Sequence, residues 1–110
     1  MYSTILLAYL QVAVCVGINH PNPRPPTVTY LPVKHIRCGK SSPTGKCCGL
    51  YYGPPGWPYR KIQIAGGCDS IGLLQHEMVH DLLRQRDGDP DGKHKDPAFH
   101  ECVTGSLDEE

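Results

Sequence analysis

The feature that most constrains the fold is a pair of histidines in the run His76-Glu77-Met78-Val79-His80. Residues four apart lie on the same face of an α-helix, so two imidazoles can converge on one metal ion with the Glu77 carboxylate beside them. An ordinary amphipathic helix, in which the histidines are merely buried or cap the helix, is the competing interpretation. The motif therefore predicts a helix and, on it, two ligands of a zinc site.

The flanking residues predict that this helix runs from about residue 70 to residue 86. Asp69 or Ser70 can cap its N-terminus, and Gly88 can end it in a left-handed turn. Apolar residues recur at helical spacing at Ile71, Leu74, Met78 and Leu82. We expect the helix to bury this stripe on one side and to present the histidines to a cleft.

A hydrolytic zinc site has three protein ligands and keeps a fourth position for water. The metal would acidify that water, and Glu77 would take its proton and deliver it to the leaving amine. Leu83 stands where the long metzincin motif requires glycine, which disfavours that class. The expected activity is zinc-dependent hydrolysis of peptide bonds.

Three residues downstream of the helix have the chemistry of a third ligand, namely His94, His100 and Glu101. His94 follows a Gly/Pro/Asp loop that would return the chain past the metal, so we favour it over Glu101 and His100 as the third ligand. Glu101 would instead require a second helix, over about residues 97–105, that crosses under the first.

The run from the zinc helix to His94, Phe99 and Cys102 resembles small zincin-like metallopeptidase domains from bacteria and, more distantly, SprT-like domains. The resemblance covers about residues 28–103. It implies a compact α+β fold in which a small mixed sheet packs on the active-site helix, with Cys/Gly/Pro-rich loops. It also implies His94 as the third ligand.

Upstream of the helix, two predicted strands are Thr27 to Val33 and Arg60 to Ala65. The abundance of Gly, Pro and Ser over residues 38–58 predicts irregular structure there. By the resemblance, residues 48–52 are similar to a small-residue turn, and Arg60 to Ala65 is similar to an edge strand. In a zincin such a strand lies above the cleft and can pair with an extended substrate.

Six cysteines lack any C-x-x-C pair, which favours disulfides over a cysteine zinc site. They are Cys15, Cys38, Cys47, Cys48, Cys68 and Cys102. Six cysteines allow fifteen pairings, and the adjacent Cys47 and Cys48 should bridge to different partners. Disulfides imply an oxidising compartment, so we expect an extracytoplasmic or secreted protein.

The chain divides into an apolar N-terminal segment (1–17), the metallopeptidase-like domain (18–103) and an acidic tail (104–110). The first segment carries no Lys or Arg and no Ala-x-Ala site, so it is not a clear signal peptide. We favour a first helix of the domain over an atypical signal segment or a membrane anchor. No firm membrane association is expected.

Eleven basic and eleven acidic residues cancel, which argues against nucleic-acid binding. The expected partner is a peptide or protein substrate, and the expected state is a monomer. Two alternative functions also have zinc bound by this helix. One is a disulfide-stapled zinc-binding or interaction module without turnover, and the other is a latent enzyme blocked by residues 104–110.

Two further features of the sequence are weaker indications of function than the histidine motif. Residues 87–92 have the first half of a calcium loop, but Ala98 stands where a bidentate glutamate is needed, so a solvated acidic turn is the expectation. An aromatic residue such as Tyr51 or Trp57 can steady an oxyanion or line a substrate pocket, and packing is the alternative for each.

Overall fold

Three α-helices and five short strands form the fold in the computed structural model, which describes residues 4–21, 24–53, 59–68 and 70–104. The helices are α1 (Thr4–Val16), α2 (Ile71–Asp87) and α3 (Ala98–Glu101). The strands are β1 (Thr27–Leu31), β2 (Ile36–Arg37), β3 (Lys46–Cys47), β4 (Gly49–Tyr52) and β5 (Lys61–Ala65). The predicted α+β class is confirmed, whereas the acidic tail from residue 105 lies outside the described residues.

The main sheet has three strands in the order β1-β5-β4, with β1 parallel and β4 antiparallel to β5. Strand β5 is therefore central, and the prediction that Arg60 to Ala65 forms an edge strand is wrong. Both of its inward side chains, Ile62 and Ile64, are fully buried, as suits a strand flanked on two sides. The edge strand that contacts α2 is β4.

The prediction of irregular structure over residues 38–58 is wrong for β3 and β4. Composition favoured turns, but pairing with β5 holds Gly49–Tyr52 extended, which is how tertiary context overrides local propensity. Strands β2 and β3 form a separate antiparallel hairpin. Strand β1 ends at Leu31, two residues before the predicted end.

Helix α2 begins and ends within one residue of the predicted bounds because its caps are local. The Ser70 hydroxyl accepts a hydrogen bond from the Leu73 N–H at 3.1 Å. Gly88 adopts a left-handed conformation with φ of 79°, and its N–H donates to the Arg84 carbonyl at 2.8 Å. Asp69, the other predicted cap, lies outside the described residues.

The expected one-sided burial of α2 is wrong. Every residue from Gly72 to Leu83 is buried, whereas Ile71, assigned to the apolar stripe, is 54% exposed. The cause is packing on several sides, because α1, α3, β4 and β5 all contact α2. Helix α2 is thus the central element of the core.

Three disulfides cross-link the fold, over separations of 87, 9 and 20 residues. Cys15–Cys102 links the end of α1 to the residue after α3, and Cys38–Cys47 closes the β2–β3 hairpin. Cys48–Cys68 connects the start of β4 to the 3₁₀ turn (Gly66–Cys68) before α2. Different partners for the adjacent Cys47 and Cys48 are thereby confirmed.

The segment 1–17 contains α1, which packs into the core through one face. Its buried residues are Ala8, Tyr9, Val12, Ala13 and Val16. Among the described helices, none combines the length and the apolar character needed to cross a membrane. The disulfides are compatible with an oxidising extracellular location.

Candidate metal centre

The structure brings the side chains of His76, His80 and His94 together beside the middle of α2. One ring nitrogen from each of the three side chains lies within 4.8 Å of the other two. The ring centroid of His94 is 4.8 Å from that of His76 and 4.8 Å from that of His80. Three imidazoles from one helix and one following loop therefore face a common point.

A backbone carbonyl sets the orientation of the His80 ring. His80 Nδ1 lies 2.7 Å from the Pro90 carbonyl oxygen, which can only accept a hydrogen bond. Nδ1 therefore carries the hydrogen and Nε2 keeps its lone pair. That Nε2 lies 3.1 Å from His94 Nε2, so the free lone pair is directed into the cluster.

The loop that carries His94 is held in an unusual conformation by its own side chains. Both Asp91 and His94 have a positive φ, 58° and 57°, which costs energy for residues other than glycine. The Asp91 carbonyl accepts from the His94 N–H at 3.0 Å, and the Asp91 carboxylate accepts from the Asp96 N–H at 2.7 Å. Arg86 forms a salt bridge with Asp96 at 2.6 Å, which ties the loop back to α2.

Burial keeps the two helical histidines neutral. The pKa of His76 is lowered to about 3 by burial and by the charges that His80 and His94 would carry. Burial also lowers the pKa of His80 to about 4. At neutral pH both rings are therefore unprotonated, which is the state that binds a metal ion.

Glu77 lies in the same cleft as the three histidines. Its side chain is 3% exposed, and burial raises its pKa to about 8. Gly49 of β4 packs directly against its carboxylate. The cleft has a cavity volume of about 150 Å³ and is lined by Cys47, Gly49, Leu50, Tyr51, His76, Glu77, His80, Pro90, Gly92 and His94.

Phe99 of α3 forms an apolar support for the three imidazoles. Its ring centroid lies 5.0 Å from that of His76, 4.7 Å from that of His80 and 4.8 Å from that of His94. The aromatic ring excludes water from one side of the cluster and restricts the rotation of the histidine rings.

The other predicted ligand candidates lie outside this cluster. His100 and Glu101 are exposed residues of α3, which is a single turn and not the predicted helix over 97–105. A second group of potential ligands among the described residues is His35, Cys48 and Cys68. Because its two sulfurs are joined in a disulfide, only the imidazole remains as a donor.

The acids of the half calcium loop are occupied by protein donors. Asp87 pairs with Arg86 at 2.8 Å, and Asp89 Oδ1 accepts from the Asp91 N–H at 2.8 Å. The Asp91 carboxylate accepts from the Asp96 N–H. The segment is therefore an acidic turn, stabilised by these hydrogen bonds and by the ion pair.

Sequence reasoning missed the role of Asp81, the residue that follows His80. Its fully buried carboxylate accepts hydrogen bonds from the Tyr9 and Tyr51 hydroxyls, both at 2.6 Å, and lies 3.2 Å from Arg60 Nε. These contacts join α1, β4 and the start of β5 to α2. The only indication in the sequence was an aspartate among apolar residues of the helix, and this pattern could not predict that Tyr9, Tyr51 and Arg60 contact it.

The Tyr51 hydroxyl is therefore engaged in the core and does not point at a substrate carbonyl. The buried site and the hydrogen bond to Asp81 raise the pKa of Tyr51 well above its usual value. Its ring lies nearly parallel to that of His80, with an interplanar angle of 12°. Tyr51 acts on the site through packing, and Trp57 lies outside the described residues.

Comparison of the chain with known protein families, with curated proteins and with solved structures gives no match. The site is consequently interpreted from its own geometry.

Proposed function

We propose that this chain is a zinc-dependent metallopeptidase in which His76, His80 and His94 bind Zn²⁺ and Glu77 is the general base and then the general acid. The observation that carries the proposal is the meeting of three imidazoles and one buried carboxylate in a single cleft. The disulfides support an extracytoplasmic or secreted enzyme.

The donor set fits zinc better than other common ions. Three neutral nitrogen ligands suit Zn²⁺, whereas Ca²⁺ and Mg²⁺ prefer oxygen ligands. A zinc ion held by these three imidazoles would keep its fourth coordination position for water or substrate. When bound, Zn²⁺ polarises a substrate carbonyl and lowers the pKa of water towards ~7.

Glu77 is suited to carry a proton from water to a leaving amine. Burial stabilises the protonated carboxyl, so the side chain can hold the proton that it accepts until the amine departs. Its position one residue after His76 places it beside the metal ligands without making it one of them.

The position of β4 supports an extended peptide as the substrate. Gly49, Leu50 and Tyr51 line the cleft, and among the described strands β4 pairs only with β5. The other edge of β4 can therefore offer backbone N–H and C=O groups to an added strand.

The test combines zinc stoichiometry by elemental analysis with hydrolysis of an internally quenched peptide mixture. Wild type should bind one zinc and cleave, His94→Ala should lose the zinc, and Glu77→Gln should keep it while losing about 10² to 10⁴ in rate. Full activity of Glu77→Gln would refute the mechanism. Stoichiometric zinc without hydrolysis in wild type would favour the non-catalytic binding module.

A further inference from the structure

Asp96 is hydrogen-bonded to both of the segments that follow α2 and meet at the candidate metal centre. On the side of the loop that carries His94, the Asp96 N–H donates to the Asp91 carboxylate at 2.7 Å. The Asp91 carbonyl in turn accepts from the His94 N–H at 3.0 Å. Both Asp91 and His94 have a positive φ, so local preference does not hold this conformation. The contact with Asp96 therefore helps to keep the His94 ring beside the other two imidazoles.

On its other side, Asp96 begins the turn that becomes α3. Its Oδ1 accepts from the Ala98 N–H at 2.9 Å, and its carbonyl accepts from the Phe99 N–H at 3.2 Å. A carboxylate that accepts from the N–H two residues ahead stabilises such a turn. The Phe99 ring packs against all three histidine rings, with centroid distances of 4.7 to 5.0 Å. One residue thus contacts both the loop of the third ligand and the turn that supports all three ligands.

Arg86 anchors Asp96 to α2, the helix that carries the other two histidines. Arg86 Nη2 donates to Asp96 Oδ2 at 2.6 Å, and Arg86 Nη1 donates to the Val16 carbonyl at 3.0 Å. The Asp96 side chain is only 21% exposed, so this charged hydrogen bond is partly shielded from water. Both carboxylate oxygens of Asp96 are thereby used as acceptors. The amide of asparagine has a single acceptor oxygen, so Asp96→Asn removes one of the two contacts.

We infer that Asp96, anchored by Arg86, is a positioning residue that sets the affinity of the metal centre for zinc. This inference rests on the proposed set of three histidine ligands and assigns a role to a residue outside that set. Asp96 acts through its neighbours, since it holds the loop of His94 and the turn of Phe99 in place before the metal binds. A ligand that is already ordered loses less conformational freedom on binding, which strengthens the affinity. A purely structural residue would instead stabilise the folded chain equally with and without zinc.

The first test measures zinc affinity and not turnover. Metal-free wild type and Asp96→Asn are titrated with Zn²⁺ in competition with a chromophoric chelator, which gives the dissociation constant, Kd. We expect the Kd of Asp96→Asn to be about 10 to 10² times that of wild type, as for other residues that orient metal ligands. Asp87→Asn is the matched control, because within the described part of the chain the Asp87 carboxylate is hydrogen-bonded to Arg86 alone. The Kd of this control should stay within about twofold of wild type, since exposed ion pairs contribute little.

The second test separates positioning from stability. Urea unfolding of the metal-free proteins gives the structural effect of each substitution. The visible absorption of the Co²⁺-substituted proteins reports the arrangement of the ligands around the metal. We expect Asp96→Asn to unfold cooperatively, because the Cys15–Cys102 disulfide still holds the far end of α3. Its cobalt spectrum should differ from that of wild type, whereas Asp87→Asn should keep the wild-type spectrum.

The third test approaches the anchor from α2. Arg86→Gln leaves the contacts of Asp96 with Asp91 and Ala98 in place and should also raise the Kd. The double variant Arg86→Gln with Asp96→Asn should bind zinc no more weakly than the weaker single variant, because the two residues act through one contact. Increases in Kd that multiply in the double variant would refute the anchoring by Arg86.

An equal rise in Kd for Asp96→Asn and Asp87→Asn would overturn the inference. So would a lower urea midpoint of Asp96→Asn with an unchanged Kd and cobalt spectrum, because Asp96 would then be a structural residue only. If wild type binds no zinc, the inference and the proposed function both fail. If Asp96→Asn shows the expected loss of affinity but wild type cleaves no peptide, the proposed function fails while the positioning role stands.

Discussion

Gly49 lies so close to Glu77 that a methyl group on its α-carbon would sit 2.8 Å from Glu77 Oε2. The same methyl group would lie 3.1 Å from Leu73 Cδ1, so it would be crowded by two side chains of α2. Strand β4 thus forms a wall against which the proposed general base rests. The Glu77 carboxylate can lie here only because residue 49 is a glycine and has no side chain.

Gly49→Ala should displace the Glu77 carboxylate without touching a metal ligand. We expect zinc stoichiometry to stay near that of wild type while kcat falls by about 10 to 10², because small misplacements of a catalytic group are costly. Gly92→Ala is the matched control, since a methyl group on this second cleft glycine meets nothing within 4 Å. Unchanged kcat in Gly49→Ala would show that the contact does not position Glu77.

The third ligand is tested by removing each candidate in turn. His94→Ala should lose zinc, because its ring nitrogen faces His80 Nε2. His100→Ala and Glu101→Gln should retain zinc, because both side chains are exposed on α3. Elemental analysis after dialysis gives the stoichiometry, and zinc loss in either α3 variant with retention in His94→Ala would reverse the assignment.

Asp81→Asn should destabilise the fold more than the metal site. Arg60 would remain next to a neutral side chain in the core, and breaking a buried pair on one side costs roughly 3 to 5 kcal/mol. Urea unfolding should show a lower midpoint at an unchanged slope. Asp89→Asn, on the exposed turn, should change the midpoint little, and equal effects of the two substitutions would contradict the role of Asp81.

The disulfides should differ in their contribution to stability according to the length of chain that they close. Cys15 and Cys102 are separated by 87 residues and Cys38 and Cys47 by 9. The chain-entropy relation gives about 4 to 5 kcal/mol for the first and about 3 kcal/mol for the second. Double alanine variants compared by thermal unfolding would test this order, and a larger loss for the hairpin disulfide would contradict it.

Local sequence patterns were sufficient to predict helix α2 and the histidine pair that it carries. The caps at Ser70 and Gly88 and the spacing of His76 and His80 depend on contacts within a turn or two, so they can be read from neighbouring residues. The chain reversal after the helix favoured His94 over His100 and Glu101, and the structure brings His94 to the pair. The positive φ values of Asp91 and His94 were not foreseen, because the contacts that hold this loop, Asp91 with Asp96 and Arg86 with Asp96, form only in the folded chain.

The sequence by itself determined the helix, the pair of histidines on one of its faces and the separate partners of the adjacent cysteines, whereas the structure decided that His94, and not His100 or Glu101, joins the pair. Only the tertiary structure decided that β5 is central, that Gly49 rests on Glu77 and that Asp81 gathers Tyr9 and Tyr51, which are 72 and 30 residues away. The physical reason is how far apart along the chain the contacting residues lie. Helix caps and i, i+4 pairs are set by the local chain, whereas strand order and buried polar partners follow from how distant segments pack together.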